Sequence, residues 1–174
     1  MRGALFTLVA LLVHLEVARA QTRPDFSGQW TRVDSTTEVR SVVAVGDAAF
    51  RVGTIGSGWG SPITVRQEGA RLVVEYVHFA TYDLQPPLRF VHALDGSESR
   101  NAIMIGHAES VLRSRANWRD SSLVITTTYP GPAGPTEVRQ ALTLESPSTL
   151  IVETTRSRAG GAPPVATRTV YRRT

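Results

Sequence analysis

From Gly28 to its end, the chain repeatedly alternates apolar and polar residues with a period of two. This period is that of a β-strand with one buried face, and no segment after residue 20 shows the 3.6-residue period of an amphipathic helix. Gly, Pro, Asp and Ser interrupt the runs, as they do at turns. The pattern predicts strands at Gly28–Asp34, Glu38–Val45, Pro62–Glu68, Arg71–Phe79, Leu88–Leu94, Glu109–Trp118, Ser121–Tyr129, Thr136–Glu145, Thr149–Ser157 and Val165–Arg173.

Most links between these strands are short, for example Gly69-Ala70 and Arg119-Asp120. Short links join antiparallel neighbours, which gives an up-and-down meander. An open sheet of this size would leave two long edges, and closure into a barrel removes them. We therefore predict an all-β fold, an antiparallel up-and-down β-barrel of about 8–10 strands. Gly46–Ser61 is predicted to form a loop across one mouth, and Pro86-Pro87 to interrupt the strands.

The alternation also predicts which side chains face the interior. In Arg71–Phe79 the even residues are apolar or aromatic, whereas Glu75 lies on the other face. The same argument places outside the charged residues Glu75, Arg113, Arg115, Glu137, Arg139 and Glu153. Each charge at the middle of a bilayer would cost about 2–4 kcal/mol, so these positions argue against an outer-membrane barrel.

Residues 1–20 have the features of an export signal. Arg2 provides a positive start, Ala4–Val13 form a short apolar segment, and Ala18-Arg19-Ala20 is an A-x-A cleavage site. We expect cleavage near Ala20, leaving residues 21–174 as one domain in the periplasm or outside the cell. The apolar segment is shorter than the ~20 residues that span a bilayer.

Composition excludes several classes of function. The chain has no cysteine, so it has no disulfide framework and no thiolate chemistry. The formal net charge of +4 is spread along the chain rather than clustered, and this does not favour nucleic-acid binding. The sequence offers no Gly-x-Ser-x-Gly elbow, no phosphate-binding loop and no inward pair of carboxylates, so we predict no catalytic residues and no cofactor.

Asp25-Phe26-Ser27-Gly28-Gln29-Trp30 resembles the start of many small exported bacterial proteins with a lipocalin-like barrel. In lipocalins a Gly-x-Trp opens the first strand, and its Trp packs at the closed end of the barrel, often against an Arg of the last strand. The resemblance gives Gly28 and Trp30 this structural role and makes Arg172 or Arg173 the partner. It also implies small-molecule binding. The chain departs from lipocalins proper because it lacks their Thr-Asp-Tyr motif, having Thr81-Tyr82-Asp83 instead, and because no helix is predicted after the barrel.

Five residues share the predicted inward parity and are candidate ligand-binding residues: Tyr76, His78, Phe90, His92 and Trp118. Aromatic walls with a few polar groups are typical of small-molecule pockets, but they also fill small barrels that have no cavity. The two histidines lack a third ligand at a readable spacing, so we predict no metal site.

Two functions from different classes follow. The first is an exported soluble barrel that binds a small, largely apolar molecule in its mouth. The alternative is a non-enzymatic structural or protein-interaction module with a filled barrel, which an exposed Trp59 beside an apolar patch would favour. An enzyme that uses the histidine pair is a third hypothesis. The sequence indicates neither the ligand nor the oligomeric state.

Overall fold

The described part of the chain consists of antiparallel strands, turns and loops, without a helix. It comprises residues 23–33, 59–76, 87–105, 108–131, 134–158 and 164–174 of a computed structural model. The strands are β1 (Gly28–Arg32), β2 (Ile63–Glu68), β3 (Arg71–Tyr76), β4 (Leu88–Ala93), β5 (Glu98–Ile105), β6 (Ala108–Arg119), β7 (Ser122–Tyr129), β8 (Thr136–Ser146), β9 (Thr149–Arg158) and β10 (Val165–Arg173).

These strands form one sheet in the order β4-β3-β2-β1-β10-β9-β8-β7-β6-β5, and every pair of neighbours is antiparallel. The first and last strands of the chain, β1 and β10, pair in the middle of this order, and the sheet curls into a nearly closed barrel whose two edges are β4 and β5. The predicted up-and-down β-barrel is confirmed.

The gap between β4 and β5 is bridged by side chains of β5. Asn101 bonds the main chain of Val91, and the hydroxyl of Ser99 accepts a hydrogen bond from the main-chain N–H of Ala93 at 2.8 Å. Polar side chains thus supply bonds that a continuous ladder would make between main chains.

The barrel has two distinguishable ends. The two-residue turns Gly69-Ala70, Asp120-Ser121 and Pro147-Ser148 lie at one end, which we call the turn end. Because successive strands alternate in direction, β1, β3, β7 and β9 run away from these turns toward the opposite end, which we call the loop end. A residue's position along its strand therefore tells which end it is near.

The inward faces follow the predicted alternation. Leu72, Val74 and Tyr76 of β3 are buried in the core, whereas Glu75 lies outside and pairs with Arg66 at 3.0 Å and Arg89 at 3.1 Å. The fully buried apolar side chains of the other strands include Leu112, Leu123, Ile125, Leu142, Leu150 and Val152. No helix in the described ranges is long and apolar enough to cross a membrane.

One strand of the structure was not predicted, and one predicted strand lies outside the described residues. The alternation predicted no strand between Leu94 and Glu109, but Glu98–Ile105 is the strand β5. Its first residues are polar on both faces because Ser99 and Asn101 point inward and bond β4, so alternation does not reveal them. The predicted strand Glu38–Val45 lies outside the described residues.

Candidate ligand site in the barrel interior

The segment before β1 occupies the turn end of the barrel. Phe26 is fully buried, and its carbonyl accepts a hydrogen bond from Trp30 Nε1 at 3.0 Å. The guanidinium of Arg173, in the last strand, stands 4.6 Å from the centre of the Trp30 ring, a cation–π arrangement. Trp30 is fully buried, and Arg173 rather than Arg172 lies over its ring.

Gly28 is required where this segment enters β1. Its φ is +149°, which L side chains rarely adopt, and a Cβ there would lie 3.4 Å from both the Arg173 guanidinium and Trp30 Nε1. The Gly-x-Trp motif therefore depends on a backbone conformation that glycine adopts readily, whereas distances of 3.4 Å are ordinary van der Waals contacts.

Trp118 belongs to this plugged end. Its ring stacks on Phe26 with centroids 5.8 Å apart, and the guanidinium of Arg23 lies 5.4 Å from its centre. Its Nε1 is buried without a hydrogen-bond partner among the described residues. The structure therefore separates Trp118 from the other described wall candidates, because parity predicts the face of a residue but not its height in the barrel.

Tyr76, Phe90 and His92 form a continuous stack of rings on the inner wall of β3 and β4. The Tyr76 and Phe90 centroids are 5.9 Å apart with ring planes at 13°, and those of Phe90 and His92 are 6.5 Å apart at 5°. The register explains the stack, since Val74 pairs with Phe90 and Tyr76 with Leu88, which makes Tyr76 and Phe90 diagonal neighbours. His78, the remaining wall candidate, lies outside the described residues.

His92 lies at the end of this stack nearer the turn end, opposite Leu72, and is 2% exposed. Its Nδ1 is 2.9 Å from Ser114 Oγ on β6. Burial lowers the pKa of His92 to about 4, because an imidazolium would lose its hydration there. The ring is therefore neutral near pH 7, with one nitrogen as a donor and the other as an acceptor.

Tyr76 and Tyr171 belong to the hydrophobic core, and Tyr129 packs against it. Burial raises the pKa of Tyr76, and the neighbouring Tyr129 and Tyr171 raise it further. The hydroxyl of Tyr171 donates to the carbonyl of Gly60 at 3.1 Å, and the adjacent Trp59 is only 8% exposed within the core cluster. Trp59 is thus packed onto the barrel rather than exposed on its surface.

Polar side chains occupy part of the interior on β6–β10. Ser114, Thr127, Gln140, Thr154 and Thr169 are all buried. Thr154 Oγ1 has no hydrogen-bond partner among the described residues, although Thr154 is 2% exposed. Thr154 is two residues after the buried Val152 on β9, so its side chain faces inward as well.

No protein-family model matches the chain. The curated proteins contain no match either.

This interior offers an aromatic wall, a neutral imidazole and buried hydroxyls. In the described part of the chain, no group of three or more His, Cys, Asp or Glu side chains is placed to hold a metal ion. The arrangement suits recognition of an apolar molecule with a small polar part.

Proposed function

We propose that this chain is an exported, lipocalin-like barrel that binds a small, largely apolar molecule toward its loop end. The observation that carries the proposal is the inward stack of Tyr76, Phe90 and His92. Tyr76 ends β3, which runs away from the plugged turn end, so the stack begins near the loop end and reaches down to His92, opposite Leu72.

The chemistry of the stack defines the ligand. Aromatic faces bind flat or aliphatic apolar groups, and each aromatic pair contributes about 0.5–1.5 kcal/mol beyond the area it buries. His92 is neutral and already contacts Ser114, so it adds a hydrogen-bonding edge without a charge. Trp118 is not part of this site in the proposal, because Phe26 and Arg23 cover its ring.

A binding titration tests the proposal. The neutral fluorophore N-phenyl-1-naphthylamine brightens in apolar surroundings, and we expect saturable binding to the mature protein. Phe90→Leu should weaken this binding about tenfold, which corresponds to about 1.4 kcal/mol. The matched control is Phe26→Leu, which removes a buried ring at the plugged end and should leave the affinity unchanged. Absence of saturable binding, or equal effects of the two substitutions, would refute the proposal.

A filled barrel that serves as a structural or interaction module is the second candidate. The observation that favours it is the complete burial of inward side chains such as Leu112, Ile125 and Val152. This candidate predicted an exposed Trp59, but Trp59 is packed in the core. For this candidate we expect no bound molecule in native mass spectra of the protein isolated from its own cells, whereas a co-purifying small molecule supports the binding function.

Export is a separate part of the proposal. It rests on the Ala18-Arg19-Ala20 cleavage site. Intact-mass analysis of the protein from its own cells should give a chain that begins at Gln21. A protein that retains Met1–Ala20 would contradict export by this signal.

A further inference from the structure

The described carboxylates all lie outside the barrel. Glu75 is partly buried but ion-paired on the outer face, and the others are exposed on outward strand positions, in turns or before β1. They are Asp25, Glu68, Asp95, Glu98, Glu109, Asp120, Glu137, Glu145 and Glu153. The described interior therefore contains no negative side chain.

One arginine has the opposite placement. On β9 the even residues face inward, as the burial of Leu150, Val152 and Thr154 shows, and Arg156 is the next residue on this face. Its register partners are Val138 of β8 and Val165 of β10. Arg156 is partly buried and lies near the loop end, toward which β9 runs.

Two neighbouring hydroxyl groups share this part of the interior. Thr127 and Arg156 both lie opposite Val138, so Tyr129, the next inward residue of β7, is one step further toward the loop end. In line with this placement, burial raises the pKa of Tyr129 and the positive charge of Arg156 opposes that rise. Tyr129 in turn raises the pKa of Tyr76, the first residue of the aromatic stack. Thr154, two residues before Arg156 on the same face, holds the buried hydroxyl that has no partner among the described residues.

We propose that the ligand of this barrel is an organic anion, with its carboxylate or equivalent acidic group at Arg156, Tyr129 and Thr154 and its apolar body along Tyr76 and Phe90. This inference rests on the proposed binding function and adds the ligand's charge. A guanidinium presents paired N–H donors that match the two oxygens of a carboxylate. The two hydroxyls supply further donors, and the absence of described inward carboxylates removes repulsion of the anion.

Isothermal titration calorimetry of the mature protein, at low ionic strength and pH 7.5, tests the charge. The probes are 2-naphthoate and the uncharged naphthalen-2-ylmethanol, which share one apolar body. We expect the acid to bind at least about tenfold more tightly than the alcohol, a difference of about 1.4 kcal/mol. Arg156→Gln should abolish this preference by weakening acid binding alone. The matched control is Arg139→Gln, on the outward face of β8 opposite Thr155, and should keep the preference.

The outcomes separate this inference from the function on which it rests. Equal affinities for acid and alcohol, or an acid preference that survives Arg156→Gln, would overturn the anion site while N-phenyl-1-naphthylamine binding upholds the barrel as a binding protein. If neither naphthalene compound nor the fluorophore binds, both proposals are refuted. Circular dichroism of each variant shows that a lost affinity is not a lost fold.

Discussion

The side-chain amide of Asn101 pairs with both main-chain polar groups of Val91. Asn101 Oδ1 accepts from the Val91 N–H at 2.7 Å, and Asn101 Nδ2 donates to the Val91 carbonyl at 3.1 Å. One side chain of β5 thus imitates the paired bonds that an adjacent strand would give to β4. This contact lies between the first and last strands of the sheet order, where an unpaired edge would otherwise remain.

Replacement of Asn101 should therefore weaken the whole barrel. Asn101→Ala leaves the N–H and carbonyl of Val91 without their partner in a partly buried place, and we expect a loss of about 2 kcal/mol in the free energy of unfolding. Urea denaturation followed by circular dichroism measures it. The control is Asn117→Ala on the exposed face of β6, which should change stability by less than about 0.5 kcal/mol. Equal effects would show that Asn101 does not close the gap.

Gly28 should tolerate no side chain. Gly28→Ala places a side chain at a φ of +149°, which L residues rarely adopt, so we expect a loss of about 2–3 kcal/mol. Gly69→Ala is the matched control, because Gly69 also has a positive φ, +56°, but its Cβ would meet no atom within 4 Å. That variant should lose only about 1 kcal/mol. Thermal unfolding of the two proteins compares them, and a smaller loss at Gly28 than at Gly69 would contradict the backbone strain expected at the φ of Gly28.

The alternation of the sequence predicted the fold and the inward faces because one residue per pair must be apolar to fill the barrel. It missed β5, whose inward Ser99 and Asn101 satisfy the neighbouring backbone instead of filling space. An analysis that assigns every polar residue to the outward face cannot detect polar residues inside a barrel. For the same reason the pattern did not indicate that Arg156 faces inward, although it has the same parity as Val152.

Parity predicted that Tyr76, Phe90 and His92 face inward. Their stacking follows from the register of β3 and β4, in which Val74 is opposite Phe90 and Leu72 opposite His92, and alternation does not encode this register. The height of Trp118 depends on strand tilt and on the segment that enters at Phe26, neither of which alternation encodes. The sequence also left open whether Arg172 or Arg173 contacts Trp30, because only the packing shows that Arg173 lies over its ring.

Acid should destabilise the protein through His92. Burial lowers the pKa of His92 from 6.5 to about 4, so between these values the unfolded chain binds a proton that the folded chain does not. The stability that neutral His92 contributes is complete above about pH 6.5 and is lost as the pH falls toward 4. Between pH 7.5 and 5.0 this loss is about 2 kcal/mol.

His92→Gln provides the comparison for this pH effect. The variant removes the titrating group, so its free energy of unfolding should fall by about 2 kcal/mol less than that of the original protein over the same interval. Urea denaturation at the two pH values gives both numbers, and other titrating groups cancel in the difference. Parallel pH profiles would mean that His92 titrates normally and is not buried as described.

Thr154 should show a conflict between stability and binding. Its hydroxyl is buried without a partner among the described residues, so Thr154→Val removes a desolvated polar atom at nearly constant shape and should stabilise the barrel by about 1 kcal/mol. The same substitution at Thr149 is the control. Thr149 Oγ1 accepts from Arg172 Nη1 at 2.6 Å and from Ser146 Oγ at 2.9 Å, so Thr149→Val should destabilise by about 1–3 kcal/mol.

If the hydroxyl of Thr154 serves an anionic ligand, Thr154→Val must also weaken binding of 2-naphthoate while it raises the unfolding free energy. A variant that is less stable than the original protein would show that the hydroxyl has a partner in the folded chain.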